Sequence, residues 1–404
     1  MEKEDKISEI SYSSLIFDKD DNYYHGFDLG VHDKVKIDFR SYAKVVTSYC
    51  VDIHEGQTVL IMGLYSALPL IKEIYREILK KEAYPVRPLI DFPGRRFLLY
   101  KLGSKDAIKM VDPMAEFFNQ KVDVVIQIYN MLYPGELDSI PTETLTVNSQ
   151  VYDKIDEIKD KLIEEGKHQE VYVGYPFKFN VNDLQNPTDI LNYQNLSTKA
   201  YLLDRPDPIA AWSQMENKGN QFISILKEKS HISISSSNLN LEFTIDAETL
   251  ENSVGHSFIP DGKIIVKVYP SSVCGSMTIF EPEMNENLGI KSLKINYQNG
   301  KANFDTRDLD NNLNEESIKA LQNSFEKIMD FEIGLHPVSE IEINNPISNS
   351  LAKWGMKFIF EGLVILSFCN NHPKNYQIFD LRQDGCIKAD DMIIYNEGHL
   401  QYPQ

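Results

Sequence analysis

Cysteine is scarce in this 404-residue chain: Cys50, Cys274, Cys369 and Cys386 stand far apart. Their spacing matches neither a zinc site nor a disulfide framework, so they read as reduced, packed thiols. No apolar run approaches the roughly 20 residues of a membrane-spanning helix. The opening MEKEDKISEI has no apolar signal-peptide core. These absences give the expectation of a cytoplasmic protein with no membrane partner. Positive charge is also in deficit, with 41 Lys and Arg against 60 Asp and Glu, a formal net charge of -19. That balance disfavours nucleic acid as a partner. Several catalytic signatures are missing as well. His54-Glu55 has no second histidine at zinc-protease spacing, and no Gly-Lys-Ser/Thr phosphate loop occurs. Gly63 alone makes no dinucleotide fingerprint, and there is no internal repeat or low-complexity tract.

What is present has an ordinary globular texture, 42% hydrophobic and 25% charged. The length is enough for two or three domains, each with its own core. Residues 1–39 alternate polar and aromatic and read as an irregular extension. Helical periodicity starts at Ser41, with Tyr42, Val45, Val46, Tyr49 and Cys50 on one face. Thr58–Met62 then reads as a strand and Leu68–Lys81 as an amphipathic helix with Pro69 in its first turn. Tyr84–Ile90, Val122–Ile128 and Glu170–Val173 are further strands, separated by helical stretches that include Asp153–Glu165. Strands alternating with helices argue a parallel sheet covered by helices. A helix over Asp207–Lys229 closes this half, with Trp212, Met215, Phe222, Ile225 and Leu226 inward. From His231 the pattern changes to period two, at Ile232–Ile234, Leu239–Ile245, Lys263–Val268, Met277–Phe280 and Ser292–Tyr297, with one helix over Glu315–Ile328. The expected organisation is an α/β domain over 40–229 and a β-rich α+β domain over 230–404. Arg95-Arg96 reads as part of a solvated loop, with a carboxylate clamp as the sharper alternative.

The run Tyr42-Ala-Lys-Val-Val46, Gly56-Gln-Thr-Val-Leu-Ile61 and Ala67-Leu-Pro-Leu-Ile-Lys-Glu-Ile-Tyr-Arg-Glu77 resembles the start of the thermophilic-type leucyl aminopeptidases, the aminopeptidase T family. The resemblance continues through Arg205-Pro-Asp-Pro-Ile-Ala-Ala-Trp212 and the β-rich half to His399. It implies a homodimer whose C-terminal domain carries a two-metal peptidase site. Such a site activates a bridging water and polarises the scissile carbonyl, which requires carboxylates and imidazoles around one cavity.

The motifs that would carry those ligands are altered here. The family's Pro-Asp-Gly-Glu reads Pro260-Asp-Gly-Lys263, followed in frame by Ser272-Val-Cys-Gly275. The second motif, in Asp330-Phe-Glu-Ile-Gly-Leu-His336, offers Asp330 or, with a small slip, Glu332. In Gly362-Leu-Val-Ile-Leu-Ser-Phe-Cys369 the ligand histidine is Ile365, and in Ile378-Phe-Asp380 the histidine of a His-x-Asp pair is Ile378. His372 aligns loosely with a family tyrosine near the metals. A unit charge pair at ~4 Å is worth about 4 kcal/mol at an effective dielectric near 20. An ammonium replacing a carboxylate beside a dication therefore swings the local energy by over ~10 kcal/mol. The reading assigns no catalytic residue, no cofactor and no metal. It assigns a vestigial ligand-binding site made of Lys263, Asp330, Glu332, Ile365, His372, Ile378 and Asp380. Asp330, His372 and Asp380 are the set left for a single ion. Singly, His336, His372 and His399 read as surface or hydrogen-bonded loop histidines.

Three functional classes follow from the resemblance. The first is a non-catalytic aminopeptidase-like protein that binds a peptide or peptide-like ligand in the ancestral cleft and assists peptide natural-product biosynthesis. In this reading Lys263 pairs with Asp380 or Asp330, and the ligand turns an acidic or carbonyl group toward it. The second is a divergent metal-dependent hydrolase or mononuclear-iron dioxygenase with a rebuilt site. The third is a structural subunit of a larger complex.

Overall fold

The computed structural model describes residues 37–92, 94–129, 139–175, 195–280, 292–305, 322–337, 360–368, 375–397 and 399–401, with positions 137 and 319. The irregular extension at 1–36, Cys369 and His372 lie outside the described residues.

The first half alternates as its pattern predicts. Helix α1 (Phe39–Val45) is capped by the Asp38 carboxylate, which accepts from the backbone N–H groups of Arg40 and Ser41. It is followed by β1 (Thr58–Leu64) and α2 (Leu68–Lys80), which buries Leu70, Ile71, Ile74 and Ile78 along one stripe. The strand expected over 84–90 is split into β2 (Tyr84–Pro85) and β3 (Leu89–Asp91). Pro85 and Pro88 both lack the N–H that a continuous ladder needs. Then come α3 (Arg95–Leu102), α4 (Lys105–Ile108), α5 (Pro113–Lys121), β4 (Val124–Tyr129), α6 (Thr142–Glu164) and β5 (Gln169–Gly174). Arg95 and Arg96 thus open a helix rather than sit in a loop. Arg95 bonds Asp91 at 2.6 Å, and Arg96 lies over the Tyr100 ring.

Helix α7 (Pro208–Leu226) is capped by Asp207 and starts on Pro208. After it the chain becomes antiparallel, with β6 (His231–Ser235), the long β7 (Leu239–Ser253), β9 (Lys263–Val268), β10 (Cys274–Phe280), β11 (Ser292–Gln298), β12 (Lys301–Asp305), β13 (Ile328–Gly334), β14 (Leu363–Phe368), β15 (Asn375–Asp380), β16 (Cys386–Ala389), β17 (Met392–Asn396) and β18 (His399–Leu400). Between β7 and β9, the two-residue β8 (Phe258–Ile259) crosses back and pairs parallel with β5.

Among the described residues the parallel sheet runs β2 and β3, β1, β4, β5, β8, and the antiparallel sheet is built around β15-β14-β13-β9-β7-β6. One apolar core joins them, from Val59 and Val124 to Ile264 and Val364. Trp212 is fully buried at the junction, and its indole N–H donates to the Tyr201 carbonyl at 3.0 Å. Tyr42 and Tyr201 both donate to the carbonyl of Gly174. No helix among the described residues is long and apolar enough to cross a membrane.

One expected element is corrected. The helix read over Glu315–Ile328 does not reach its end: Ile328 begins β13, opposite Phe368. Phe325 is completely buried against Phe368, and the Tyr297 hydroxyl donates to its carbonyl at 2.6 Å. Those tertiary contacts end the helical pattern before the strand.

Candidate functional site

The site is set by strand register. In an antiparallel sheet, directly opposed residues share a face, and so do residues two apart on one strand. Glu332 on β13 lies opposite Ile265 on β9 and Ile365 on β14, and Ile365 lies opposite Ile378 on β15. Lys263 opposes Gly334, and Asp380 opposes Leu363. Lys263, Glu332, Ile365, Ile378 and Asp380 therefore occupy adjacent rows on one face. The opposite face, with Ile264, Val266, Phe331, Ile333, Val364, Leu366 and Phe379, belongs to the core. Alternation leaves it no other choice.

Lys263 is buried, its side chain 8% exposed. Its ammonium lies 3.3 Å from Glu332 Oε2 and 3.8 Å from Asp261 Oδ1. The expected partners, Asp330 and Asp380, are thus replaced. Asp380 is held instead by Arg382, whose guanidinium grips both carboxylate oxygens at 2.9 and 2.7 Å. Burial pushes the Asp380 carboxyl up, but the hydrogen bonds and charge of Arg382 outweigh it and hold it below the ordinary range. Asp330 sits opposite Lys267 and Ser367, and Ser367 opposite Tyr376. Asp380 is four residues further along β15 than Tyr376, about 13 Å at strand rise. Asp330 and Asp380 are too far apart for one ion, and Glu332 rather than Asp330 stands in line with Ile365 and Ile378.

Asp261 was not singled out from the sequence, although it lies in the same Pro260-Asp-Gly-Lys263 turn. Its Oδ1 accepts from the Gly262 N–H at 2.9 Å, and its Oδ2 from the Ser253 hydroxyl. Burial disfavours its ionised form and raises its pKa. Lys263, Ser253 and Gly262 pull the other way, Glu332 adds to the rise, and the net position is about 6. Across the cluster, the Ser367 hydroxyl donates to Glu332 Oε1 at 3.3 Å. Ser253 and Ser367 carry no motif signal, because only strand register brings them here, whereas Arg382 reaches Asp380 from two residues along the same chain.

His336, read as a surface or hydrogen-bonded loop histidine, is wholly buried. Its ring packs edge-on against Trp212 and Phe360, and Gly262 backs against its Cβ. Burial lowers its basicity to about 3, against a hydrogen bond with the Ala200 backbone. His399 is exposed on β18, as expected. Cys50, Cys274 and Cys386 are free thiols, and burial raises that of Cys50.

A parallel α/β half joined to an antiparallel half that carries a charged strand face defines the class of this fold. It matches wild-type AmpT from Thermus thermophilus with a TM-score of 0.63 at 10% identity, covering 90% of this chain and 98% of that one. At the level of sequence, the family described as thermophilic metalloprotease (M29) matches residues 35–307. The chain belongs to that family. No curated protein matches it.

The family implies metal, and the described residues do not fit it. Ile365 and Ile378 offer no donor atoms, Glu332 and Asp261 face an ammonium, and Asp380 is occupied by a guanidinium. Among the described residues no group of three or more His, Cys, Asp and Glu side chains could hold an ion.

Proposed function

We propose that this aminopeptidase-like protein binds a peptide or peptide-like ligand over the face described above and does not cleave it. The observation that carries the reading is the Lys263 ammonium set between Glu332 and Asp261, on a strand frame that otherwise keeps the family's order. Peptidase chemistry of this family needs a water activated between metals, and a buried cation with its own counter-charges takes the place of that chemistry. The chain has changed the chemistry of the face while keeping its architecture, which favours retention for binding over decay.

In this reading the ligand takes the polarity opposite to the one expected from the sequence. Lys263 already faces two carboxylates, so it is no anchor for an incoming acid. With Asp261 and Glu332 ionised, the cluster carries one net negative charge. That field favours a peptide's free amino terminus over its carboxylate. A place beside a tailoring enzyme in peptide natural-product assembly would use such retention of an unmodified chain.

Calorimetry should show micromolar binding of peptides with a free amino terminus and weaker binding of N-acetylated ones. Mass spectrometry should recover them intact after incubation with zinc, cobalt or manganese. Trimmed peptide would establish the divergent hydrolase instead. Absence of any binding below millimolar concentration would favour the structural-subunit reading.

A further inference from the structure

The connection from β3 to β4 is made by α3, α4 and α5, on the face of the parallel sheet opposite α2. Phe118 of α5 packs on Leu60, Val122 and Val125, whereas Leu70 and Ile71 of α2 belong with Val59 and Ile61 to the main core. Helix α6 completes this layer. Its Asn148 accepts from the Tyr100 hydroxyl at 2.8 Å and donates to the Ile108 carbonyl at 2.8 Å, and α5 packs along it. A surface helix ordinarily turns its apolar stripe inward, but two of these carry one outward as well. Leu98 and Leu102 are exposed one turn apart on α3, Met114 and Phe117 on α5, and Met110 in the link between α4 and α5. The same layer is basic. Residues 87–121 hold seven Lys and Arg against four Asp and Glu, in a chain of net charge -19. Lys101, Lys105, Lys109 and Lys121 are all exposed. Clustered outward apolar side chains mark an interaction surface, and the cations beside them select an acidic partner.

We propose that residues 1–36 of the same chain dock on this surface. Their composition is its complement, with nine Asp and Glu against five Lys and Arg. Their order is complementary too. The apolar Leu15-Ile-Phe17 and the aromatic Tyr23, Tyr24 and Phe27 flank the acidic run Asp18-Lys-Asp-Asp21, so that carboxylates and apolar groups arrive together. The segment also joins the domain at the right end. It leads into α1, where the Phe39 ring stacks on Tyr175 at 5.5 Å, just past the carboxyl end of β5. Helix α3 likewise starts just past the carboxyl end of β3, so both lie at the same end of the parallel sheet. The stretch from Phe17 to Phe39 reaches up to about 70 Å when extended, against about 40 Å for the width of a domain of this size. Tethering holds the segment at a millimolar local concentration, and the acidic balance of the rest of the chain disfavours it elsewhere.

This contact goes beyond the peptide-binding reading and does not depend on it, since it lies on the α/β half and leaves the Lys263 face untouched. The experiment places the photo-reactive residue p-benzoylphenylalanine at Phe117 of the full-length chain. In a second sample it stands at Leu79, exposed on α2 across the sheet. Each is irradiated at low salt in an equal mixture with unmodified, isotope-labelled chain, and mass spectrometry identifies the linked peptides. Position 117 should link to residues 1–36 within one chain, at about five times the yield from position 79 or more. Asp18→Lys/Asp20→Lys/Asp21→Lys in the same chain should lower that yield about threefold or more. Links that run mainly to the labelled copy or to other parts of the chain overturn the proposal. So do equal yields from positions 117 and 79, and a yield that the triple variant leaves unchanged. A photolysed probe that forms no link at all overturns it as well.

Discussion

Asp261→Asn tests the electrostatics of the site through pH. In the folded chain Asp261 is 3% exposed, and burial lifts its carboxyl from 3.8 to about 6. The attraction of Lys263 at 3.8 Å is already contained in that net rise. Between about pH 4 and pH 6 the folded protein therefore holds a proton that the unfolded chain has released. Stability from this group is greatest below pH 4, falls as pH rises through that window, and is flat above it. A rise of about two pH units corresponds to about 3 kcal/mol. Asparagine cannot titrate, yet its amide oxygen can still accept from Gly262 and its amide N–H can turn to the Ser253 oxygen. The difference in unfolding free energy, Asp261→Asn minus wild type, should accordingly climb by about 3 kcal/mol from pH 4 to pH 7. Urea titrations at half-unit steps measure it, and subtraction removes the contributions of the other carboxylates. A flat difference would mean that Asp261 is not desolvated as described. A difference that falls with pH would show the Lys263 attraction overcoming burial, and would refute the reasoning.

Gly262 has φ near +143°, and an added Cβ would lie 3.0 Å from His336 Cβ and 3.1 Å from the Met215 sulfur. Gly262→Ala should cost about 2–3 kcal/mol in urea unfolding, and an unchanged midpoint would contradict the packing. His336, buried between Trp212 and Phe360, should stay neutral from pH 5 to 8 in NMR spectra; a titration near 6.5 would place it in water. The family likeness predicts a homodimer, and light scattering across micromolar concentrations should give twice the 46.4 kDa chain mass. A monomer mass would end that expectation.

Periodicity by itself determined much of this protein. The 3.6-residue stripe of Leu70, Ile71, Ile74 and Ile78 could only be a surface helix on a core, and the alternation in β9 and β13 could only be strands with one buried face. The family resemblance likewise grouped Lys263, Ile365, Ile378 and Asp380 without any coordinates, and strand register puts them in adjacent rows of one face. Local pattern could not say that Ile328 begins a strand, because the contacts that end the preceding helical pattern come from Tyr297 and Phe368, distant in sequence. Nor could it decide between Asp330 and Glu332, which are two residues apart and share a face. Only the register against Ile365 and Ile378 separates them. The partners of Lys263 were hidden for the same reason. Which carboxylate an ammonium reaches depends on strand pairing and on the turn at Gly262, and Asp380 had already been claimed by Arg382, two residues further along its own chain. Chemistry of residue type is written along the chain, whereas pairing of charges is settled by the few ångströms between strands that only folding brings together.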